Sequence, residues 1–139
     1  MTKSKTKITK AYTYSVGRRK LAVANVKLFK GKGDSMVNTK DLEKYFPLLS
    51  DKLIYSKPFV VTGTVDKYYF IAKVVGGGKT GQLEAVTLAI SRCLKIINPE
   101  AFGPILRNTG LMTVDARVRQ RRMVGTGGKS RRAKQSPKR

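Results

Sequence analysis

The chain has 139 residues, enough for one domain, and its thirty Lys and Arg against eight Asp and Glu give a formal net charge of +22. Self-repulsion of that size destabilises a compact state unless a polyanion neutralises it, so nucleic acid is the first candidate partner and an anionic membrane surface the second. One cysteine and no histidine exclude a Cys–His zinc site and a thiol–imidazole pair within this sequence.

The charge divides the sequence into three parts. Residues 1–20 hold seven basic and no acidic residues, whereas residues 115–139 hold ten basic residues and one acid, Asp115. Two nearly acid-free ends differ from the mixed charge of an ordinary solvated surface. We therefore expect a basic N-terminal arm at 1–10, a globular domain at 11–114 and an extended basic C-terminal tail at 115–139.

In chain order, the first half predicts short strands and short helices. Strands are expected at 11–16 and 21–29, joined by a basic turn at 17–20, and at 35–38, which should pair back. A short helix capped by Thr39 is expected at 40–45, a further helical turn within 47–55, and a weaker strand at 59–62.

The hydrophobic centre is expected around residues 68–97. Residues 68–75 are rich in aromatic and β-branched side chains and predict a strand, which three glycines then interrupt. Thr80 can cap the helix that comes next. That helix carries one apolar stripe, about 100° wide, formed by Leu83, Val86, Ile90, Cys93, Leu94 and Ile97. We expect Cys93 to be a small buried core residue.

A last helix should start with Asn98 as cap and Pro99 at the first helical position, and should end near 108–110. Beyond Leu111 the apolar residues nearly stop. Fixing such a segment costs roughly 1–2 kcal/mol per residue in conformational entropy, which buried apolar surface cannot offset here. We therefore expect a large, highly charged partner to order the tail.

The sequence Gly78-Lys79-Thr80, between a strand and a helix, invites comparison with a phosphate-binding loop of nucleotide hydrolases. That motif needs a glycine five positions before the Gly-Lys pair, and Lys73 stands there instead. Exposed amides, a helix N-terminus and Lys79 still favour an anion, and an RNA phosphate is the expected one. A purely structural turn is the alternative.

Two basic clusters are further candidates for phosphate contacts. Arg18, Arg19 and Lys20 precede a core strand, and a merely solvated turn is the alternative interpretation. In the tail, glycines at 125, 127 and 128 separate two groups of cations, a spacing suited to a strand that passes several phosphates. A plain disordered basic tail is the alternative. Neither zinc-finger spacing nor a stacking-aromatic ribonucleoprotein motif is present.

Together these features resemble the small-subunit ribosomal protein nine family in its bacterial or organellar form, over about residues 12–139. The matching residues are Gly17, Arg18, Arg19, Lys20, Ala22, Ala24, Gly31, Gly33, Asn38, Tyr45, Phe46, Pro58, Gly76, Gly77, Gly78, Gly81, Gln82, Ala85, Arg92, Gly110, Leu111, Asp115, Arg117, Arg121, Arg122, Gly125, Arg131, Arg132, Gln135, Lys138 and Arg139.

The resemblance implies an α+β fold, a small sheet packed with helices like the second domain of ribosomal protein five, with a long basic tail. It implies a structural protein of the small-subunit head, not an enzyme, that binds 16S-type rRNA and neighbouring head proteins. With the basic clusters and the glycine loop described above, we expect the rRNA-binding residues to be Arg18, Arg19, Lys20, Gly76, Gly77, Gly78, Lys79, Arg117, Arg119, Arg121, Arg122, Lys129, Arg131 and Arg132.

The same resemblance implies that the tail reaches the peptidyl-tRNA site, where Lys138 and Arg139 contact tRNA. We expect no cofactor, metal ion, small-molecule substrate or membrane partner. No apolar run approaches the roughly 18 residues of a membrane span, and the N-terminus lacks the apolar core of a secretory signal. A cytoplasmic ribosome is the expected location, with an organellar ribosome as the alternative, and a general nucleic-acid-binding protein or RNA chaperone is the rival function.

Overall fold

The computed structural model describes residues 12–128 and 133–138 of the chain, so the predicted N-terminal arm at 1–10 lies outside the described residues. The elements are β1 (Tyr12–Arg19), β2 (Ala22–Lys30), β3 (Met36–Val37), β4 (Lys40–Asp41), α1 (Leu42–Tyr45), α2 (Leu49–Val61), β5 (Tyr68–Val75), α3 (Lys79–Ile97) and α4 (Pro99–Asn108). This sheet with helices confirms the predicted α+β class. Within the described ranges, no helix is both long and apolar enough to cross a membrane.

The strands of the described chain form one sheet in the order β1-β2-β5-β3-β4. β1, β2 and β5 pair antiparallel, and their register places Gly17 beside Ala24 and Ala24 beside Val74. β3 pairs in parallel with β5, and the connection between them passes through α1 and α2. The sheet is therefore mixed, with the long strands β2 and β5 at its centre.

α3 is the central helix of the core because it packs on the sheet with one side and on α2 and α4 with the other. Its residues are consequently buried around most of its circumference, and even Ser91 is fully covered. Of the predicted apolar stripe, Ile97, the last residue of the helix, is exposed. The largest buried side chains of the core are Phe70, Leu28, Leu83, Ile90, Leu94 and Leu106.

Gly17 sets how closely β1 approaches α3. A Cβ atom at this position would lie 1.9 Å from the Ala85 carbonyl oxygen and 2.8 Å from the Ala89 amide nitrogen. Both neighbours are backbone atoms of α3, so no side-chain rotation can make room. One residue earlier in the strand, the Val16 carbonyl oxygen accepts a hydrogen bond of 2.6 Å from Arg92 Nη1. The edge strand is thus fixed to the helix by close contact and by a charge-assisted bond.

The elements on either side of the glycine triplet match the prediction. β5 covers residues 68–75 as expected, and α4 begins at Pro99 with Asn98 Oδ1 accepting from the Ala101 amide at 3.2 Å. The predicted cap was wrong, because α3 already starts at Lys79 and Gly78 rather than Thr80 occupies its N-cap position. Cys93 is fully buried, as predicted.

Four predicted elements were wrong. The helix expected at 40–45 begins only at Leu42, with Asp41 rather than Thr39 at its N-cap, because Lys40 and Asp41 form β4. Residues 59–62 form the end of α2 with its C-cap, because Tyr55 and Pro58 lie three residues apart and both face the core, a helical spacing. The segment at 35–38 pairs with β5 and β4 rather than returning to β2. The predicted turn at 17–20 is mostly strand, since β1 continues to Arg19 and the turn itself contains Lys20 with a φ of 54°.

Candidate nucleic-acid interface

The glycine loop after β5 packs tightly against the β1–β2 turn. Gly76 and Gly77 have φ angles of 75° and 66°, which L side chains rarely adopt. A Cβ at Gly76 would lie 2.4 Å from the Leu21 carbonyl oxygen, and one at Gly77 would lie 3.0 Å from Ala22 Cβ. Close packing therefore explains these two glycines without any ligand. Gly78 differs, since no described atom lies within 4 Å of a Cβ placed there.

Lys79, the candidate anion ligand of this loop, lies against an aromatic ring. Its Nζ is 3.4 Å from the centroid of the Tyr45 ring and donates to the Tyr45 carbonyl oxygen at 3.4 Å. The Tyr45 hydroxyl in turn donates to Gln82 Oε1 at 2.8 Å, and Gln82 Nε2 donates to the Gly76 carbonyl oxygen at 2.9 Å. The structure thus places Lys79 beside the exposed loop but turned toward α1.

The N-terminus of α3 opens at this loop. Over the described residues no side chain caps it, and Gly76, Gly77 and Gly78 are all exposed. Its first-turn amides carry the partial positive charge that favours an anion. The loop therefore retains the features expected of a phosphate contact, while two of its glycines have a sufficient packing reason.

Arg18 and Arg19, neighbours in sequence, point to opposite sides of the sheet because they lie in a strand. Arg18 is exposed on the side away from α3, and Lys20 is exposed in the turn. The Arg19 side chain is only 12% exposed. The structure therefore brings Arg18 and Lys20 to the surface but encloses Arg19 within the protein.

The Arg19 guanidinium binds the start of the tail. Nη1 donates to the carbonyl oxygens of Asp115 and Arg117 at 3.1 and 2.8 Å, and Nη2 pairs with Asp115 Oδ2 at 3.0 Å. Nε pairs with the Glu84 carboxylate on α3. A planar fork of donors suits two carbonyls and two carboxylates at once, which an ammonium group cannot match. We call this group of Arg19, Glu84, Asp115 and Arg117 the tail anchor.

Asp115 is held on its other side by Arg117. The Arg117 amide and Nε donate to Asp115 Oδ1 at 3.0 and 2.9 Å, and Nη2 pairs with Oδ2 at 2.7 Å. The side-chain hydrogen bond from Arg117 is the main cause that holds the pKa of Asp115 well below its ordinary value of 3.8. The same pairing raises the pKa of Arg117. Asp115 is therefore ionised at any pH near neutrality.

The tail anchor was missed as a site by sequence reasoning. Its signal in the sequence was Asp115, the one acid among the tail's ten cations, to which no role had been assigned. Its partner Arg19 lies 96 residues earlier, so no local pattern joins the two. Only the fold brings the β1 edge and the start of the tail together.

Beyond the anchor, the tail carries its cations on irregular backbone. Over residues 113–128 and 133–138 the structure has neither helix nor strand. A turn forms where the Thr126 hydroxyl donates to the Met123 carbonyl oxygen at 2.7 Å, with Gly125 at a φ of 90°. The exposed cations of the described tail are Arg117 in the anchor itself and, beyond it, Arg119, Arg121, Arg122, Lys134 and Lys138. Lys129, Arg131, Arg132 and Arg139, also predicted as RNA ligands, lie outside the described residues.

Comparisons with known proteins point in one direction. The profile of the family described as Ribosomal protein S9/S16 matches residues 17–139. The small ribosomal subunit protein uS9 of Cutibacterium acnes is 42% identical over 125 residues, which cover 90% of this chain and 72% of that protein. The uS9 protein of Lawsonia intracellularis is 43% identical over 114 residues, covering 82% of this chain and 87% of that one.

Proposed function

Because the chain belongs to the ribosomal protein S9/S16 family, we propose that it is a structural constituent of the small-subunit head that binds 16S-type rRNA. The family is structural and non-enzymatic, so the chain is not an enzyme. The observation that carries the proposal is a basic tail of irregular, exposed backbone whose first residues are fixed to the domain by Arg19. The proposed location is the ribosome of a bacterial cytoplasm.

In this proposal the domain meets RNA around the β1–β2 turn. Arg18 and Lys20 are exposed there, and the glycine loop with Lys79 packs on the same turn. Each cation would take a backbone phosphate, and the uncapped amides of α3 would take another. Arg19 contributes to the RNA interface indirectly, because it holds the start of the tail against the domain.

The tail supplies the larger share of the phosphate contacts. Its proposed ligands are Arg117, Arg119, Arg121, Arg122, Lys129, Arg131 and Arg132. Six to ten phosphate contacts would lose roughly a thousand- to a hundred-thousandfold in affinity between 50 and 200 mM salt on the duplex-DNA scale. Such contacts position the protein rather than read sequence. Contacts with neighbouring head proteins complete the proposed assembly.

The tip of the tail is proposed to reach the peptidyl-tRNA site. Lys138 and Arg139 would hold phosphates of the anticodon stem-loop by charge-assisted hydrogen bonds. Deleting residues 137–139 should leave subunit assembly intact and weaken tRNA in the peptidyl site. Unchanged tRNA affinity in subunits that carry the truncated protein would refute the tip contact.

A footprint on small-subunit rRNA at about 200 mM salt tests the central proposal, because loose cation binding is largely screened there. Protection confined to a few helices of the head is the expected result. Diffuse protection that disappears with salt would show that charge alone drives binding, and the chain would then act as a general nucleic-acid chaperone.

A further inference from the structure

One face of the sheet is covered by none of the helices of the described chain. All four helices of the described chain contribute to the same core, on the side of Ala24, Phe70 and Val74. Because side chains alternate along a strand, the remaining positions of β1, β2 and β5 face the other way. We call these the open face: Tyr12, Tyr14, Val16, Arg18, Val23, Asn25, Lys27, Phe29, Tyr69, Ile71, Lys73 and Val75.

The open face is cationic. It carries Arg18, Lys27 and Lys73, all exposed, and none of its twelve residues is acidic. The register places Lys27 between Tyr14 and Ile71 and places Lys73 opposite Asn25. Strand pairs usually set opposite charges against each other, and like charges on one face repel. The Lys27 ammonium lies 5.0 Å from the centroid of the Tyr12 ring, and no acidic residue of this face neutralises it. A set of cations without acidic neighbours complements a polyanion.

Tyr14 is an exposed aromatic ring in the middle of these cations. The residue is 47% exposed, and its hydroxyl donates to Asn25 Oδ1 at 3.3 Å, which orients the ring. Tyr14 lines a depression of about 730 Å³ together with Lys27 and Lys73, and Asn38, Thr39 and Ile71 contribute to the same lining. A base can stack on such a ring while the lysines reach the flanking phosphates.

The aromatic row at one end of the open face is already occupied by its own contacts. Phe29 stacks on Tyr69 with ring centroids 5.0 Å apart, and Tyr12 lies 5.6 Å from Phe29. The backbone of Gly33 covers Tyr69 so closely that a Cβ there would lie 2.9 Å from the ring. These three rings therefore stiffen the sheet, and Tyr14 is the ring that remains available.

Two other occupants of the open face conflict with its charge. A second copy of this chain would bring a further net charge of +22. The chain's own first eleven residues hold four lysines and no acid, so they would also bring like charge. Both would add repulsion to a surface that is already cationic.

We propose that the open face is a second RNA-binding surface, distinct from the tail, which stacks one unpaired nucleotide on Tyr14 and holds its flanking phosphates with Lys27 and Lys73. The inference rests on the proposed rRNA-binding function. It adds the chemistry of the ligand, an unpaired base within the RNA rather than a duplex backbone alone. Arg18 links this surface to the β1–β2 turn, where the domain and the tail start meet.

The contributions of the two lysines and of the Tyr14 ring can be measured separately. The measurement is the affinity of the full chain for small-subunit rRNA between 50 and 200 mM salt. Lys27→Gln with Lys73→Gln should weaken binding roughly tenfold and lower the slope of log affinity against log salt by about 1.5, for two lost phosphate contacts. Tyr14→Leu should weaken binding about tenfold with an unchanged slope, because stacking releases no counterions. Tyr14→Trp should restore the affinity.

The matched control removes the same charge elsewhere, with Lys57→Gln in α2 and Lys67→Gln before β5, both exposed. If the open-face variants behave like this control, the open face does not bind RNA and is left for a protein neighbour. If the wild-type chain itself forms no salt-resistant complex with the rRNA, the proposed function fails and this inference falls with it. Thermal unfolding of each variant checks that the fold is retained.

Discussion

The tail anchor can be tested by replacing Arg19 with lysine, which keeps the positive charge and removes the fork. An ammonium group can keep one of the contacts that the guanidinium makes with the Asp115 and Arg117 carbonyls. Arg18→Lys is the matched control, because it makes the same change one residue away, on the open face. The comparison isolates the geometry of Arg19 from its charge.

The expected effect follows from the contacts. Charge-assisted hydrogen bonds contribute about 1.5–3 kcal/mol each when they are protected from water. The side chains of Glu84 and Asp115 are 44% and 31% exposed, so solvent screens the ion pairs. The bond to the Asp115 carbonyl is partly buried and the bond to the Arg117 carbonyl is exposed, so the first carries most of the effect. Losing one carbonyl bond and distorting the other should therefore cost about 1 kcal/mol, which raises the population of released tail roughly fivefold.

Proteolysis before Asp115 measures that population. An endoproteinase that cleaves on the N-terminal side of aspartate can cut the bond preceding Asp115 only when Arg19 and Arg117 release the segment. When opening is fast relative to cleavage, the cleavage rate follows the open fraction. Mass spectrometry of the released 115–139 fragment should show a roughly fivefold faster rate for Arg19→Lys than for Arg18→Lys. Equal rates would refute the anchor.

Three further predictions concern the fold and its titration. Gly17→Ala should lower the free energy of unfolding by about 3 kcal/mol in chemical denaturation, because its methyl group meets backbone atoms of α3. The control is Gly103→Ala in α4, which should be neutral or stabilising because a Cβ there meets no described atom within 4 Å. Equal effects of the two substitutions would contradict the close approach of β1 to α3. Burial raises the pKa of the Cys93 thiol from 9.0 to about 12. Because the thiolate is the reactive form, the folded protein should be alkylated at pH 8 roughly a thousandfold more slowly than the unfolded chain. Similar rates would mean that the core opens readily. Arg117 holds the pKa of Asp115 below 3.8 in the folded protein. The stabilisation from this ion pair is therefore fully present above pH 3.8 and is lost as the pH falls through the lowered pKa of the folded state. An NMR titration of the Asp115 carboxyl centred near 3.8 would show that the anchor is open in solution.

The core of the fold was predictable because its signals are local and long. β5 and α3 together cover residues 68–97, where a strand pattern changes to a helical one at three glycines. The residues at 59–62 show the limit of that approach. Their β-branched and aromatic side chains favour a strand, yet packing of Tyr55 and Pro58 on the core makes this segment the end of a helix.

The candidate site was predictable as a set of residue types and not as an arrangement. The sequence grouped Arg18 with Arg19, but both lie in β1, and successive side chains of a strand project from opposite faces of the sheet. The open face follows from the same alternation, but it requires the register of three strands that are spread over residues 12–75. Such pairing depends on the whole core and leaves no local trace.

The tail anchor explains how a chain of charge +22 can present its tail in a defined direction before RNA is bound. The Arg19 and Arg117 side chains carry like charges that would repel each other. Both pair with the Asp115 carboxylate, at 3.0 and 2.7 Å, so each gains an attraction instead. Fixing the first tail residues on the domain spends their conformational entropy during folding, at roughly 1–2 kcal/mol per residue, so binding does not have to supply it. A single acid in a basic tail is therefore most useful at its base, where it sets direction, and would weaken phosphate binding anywhere further along.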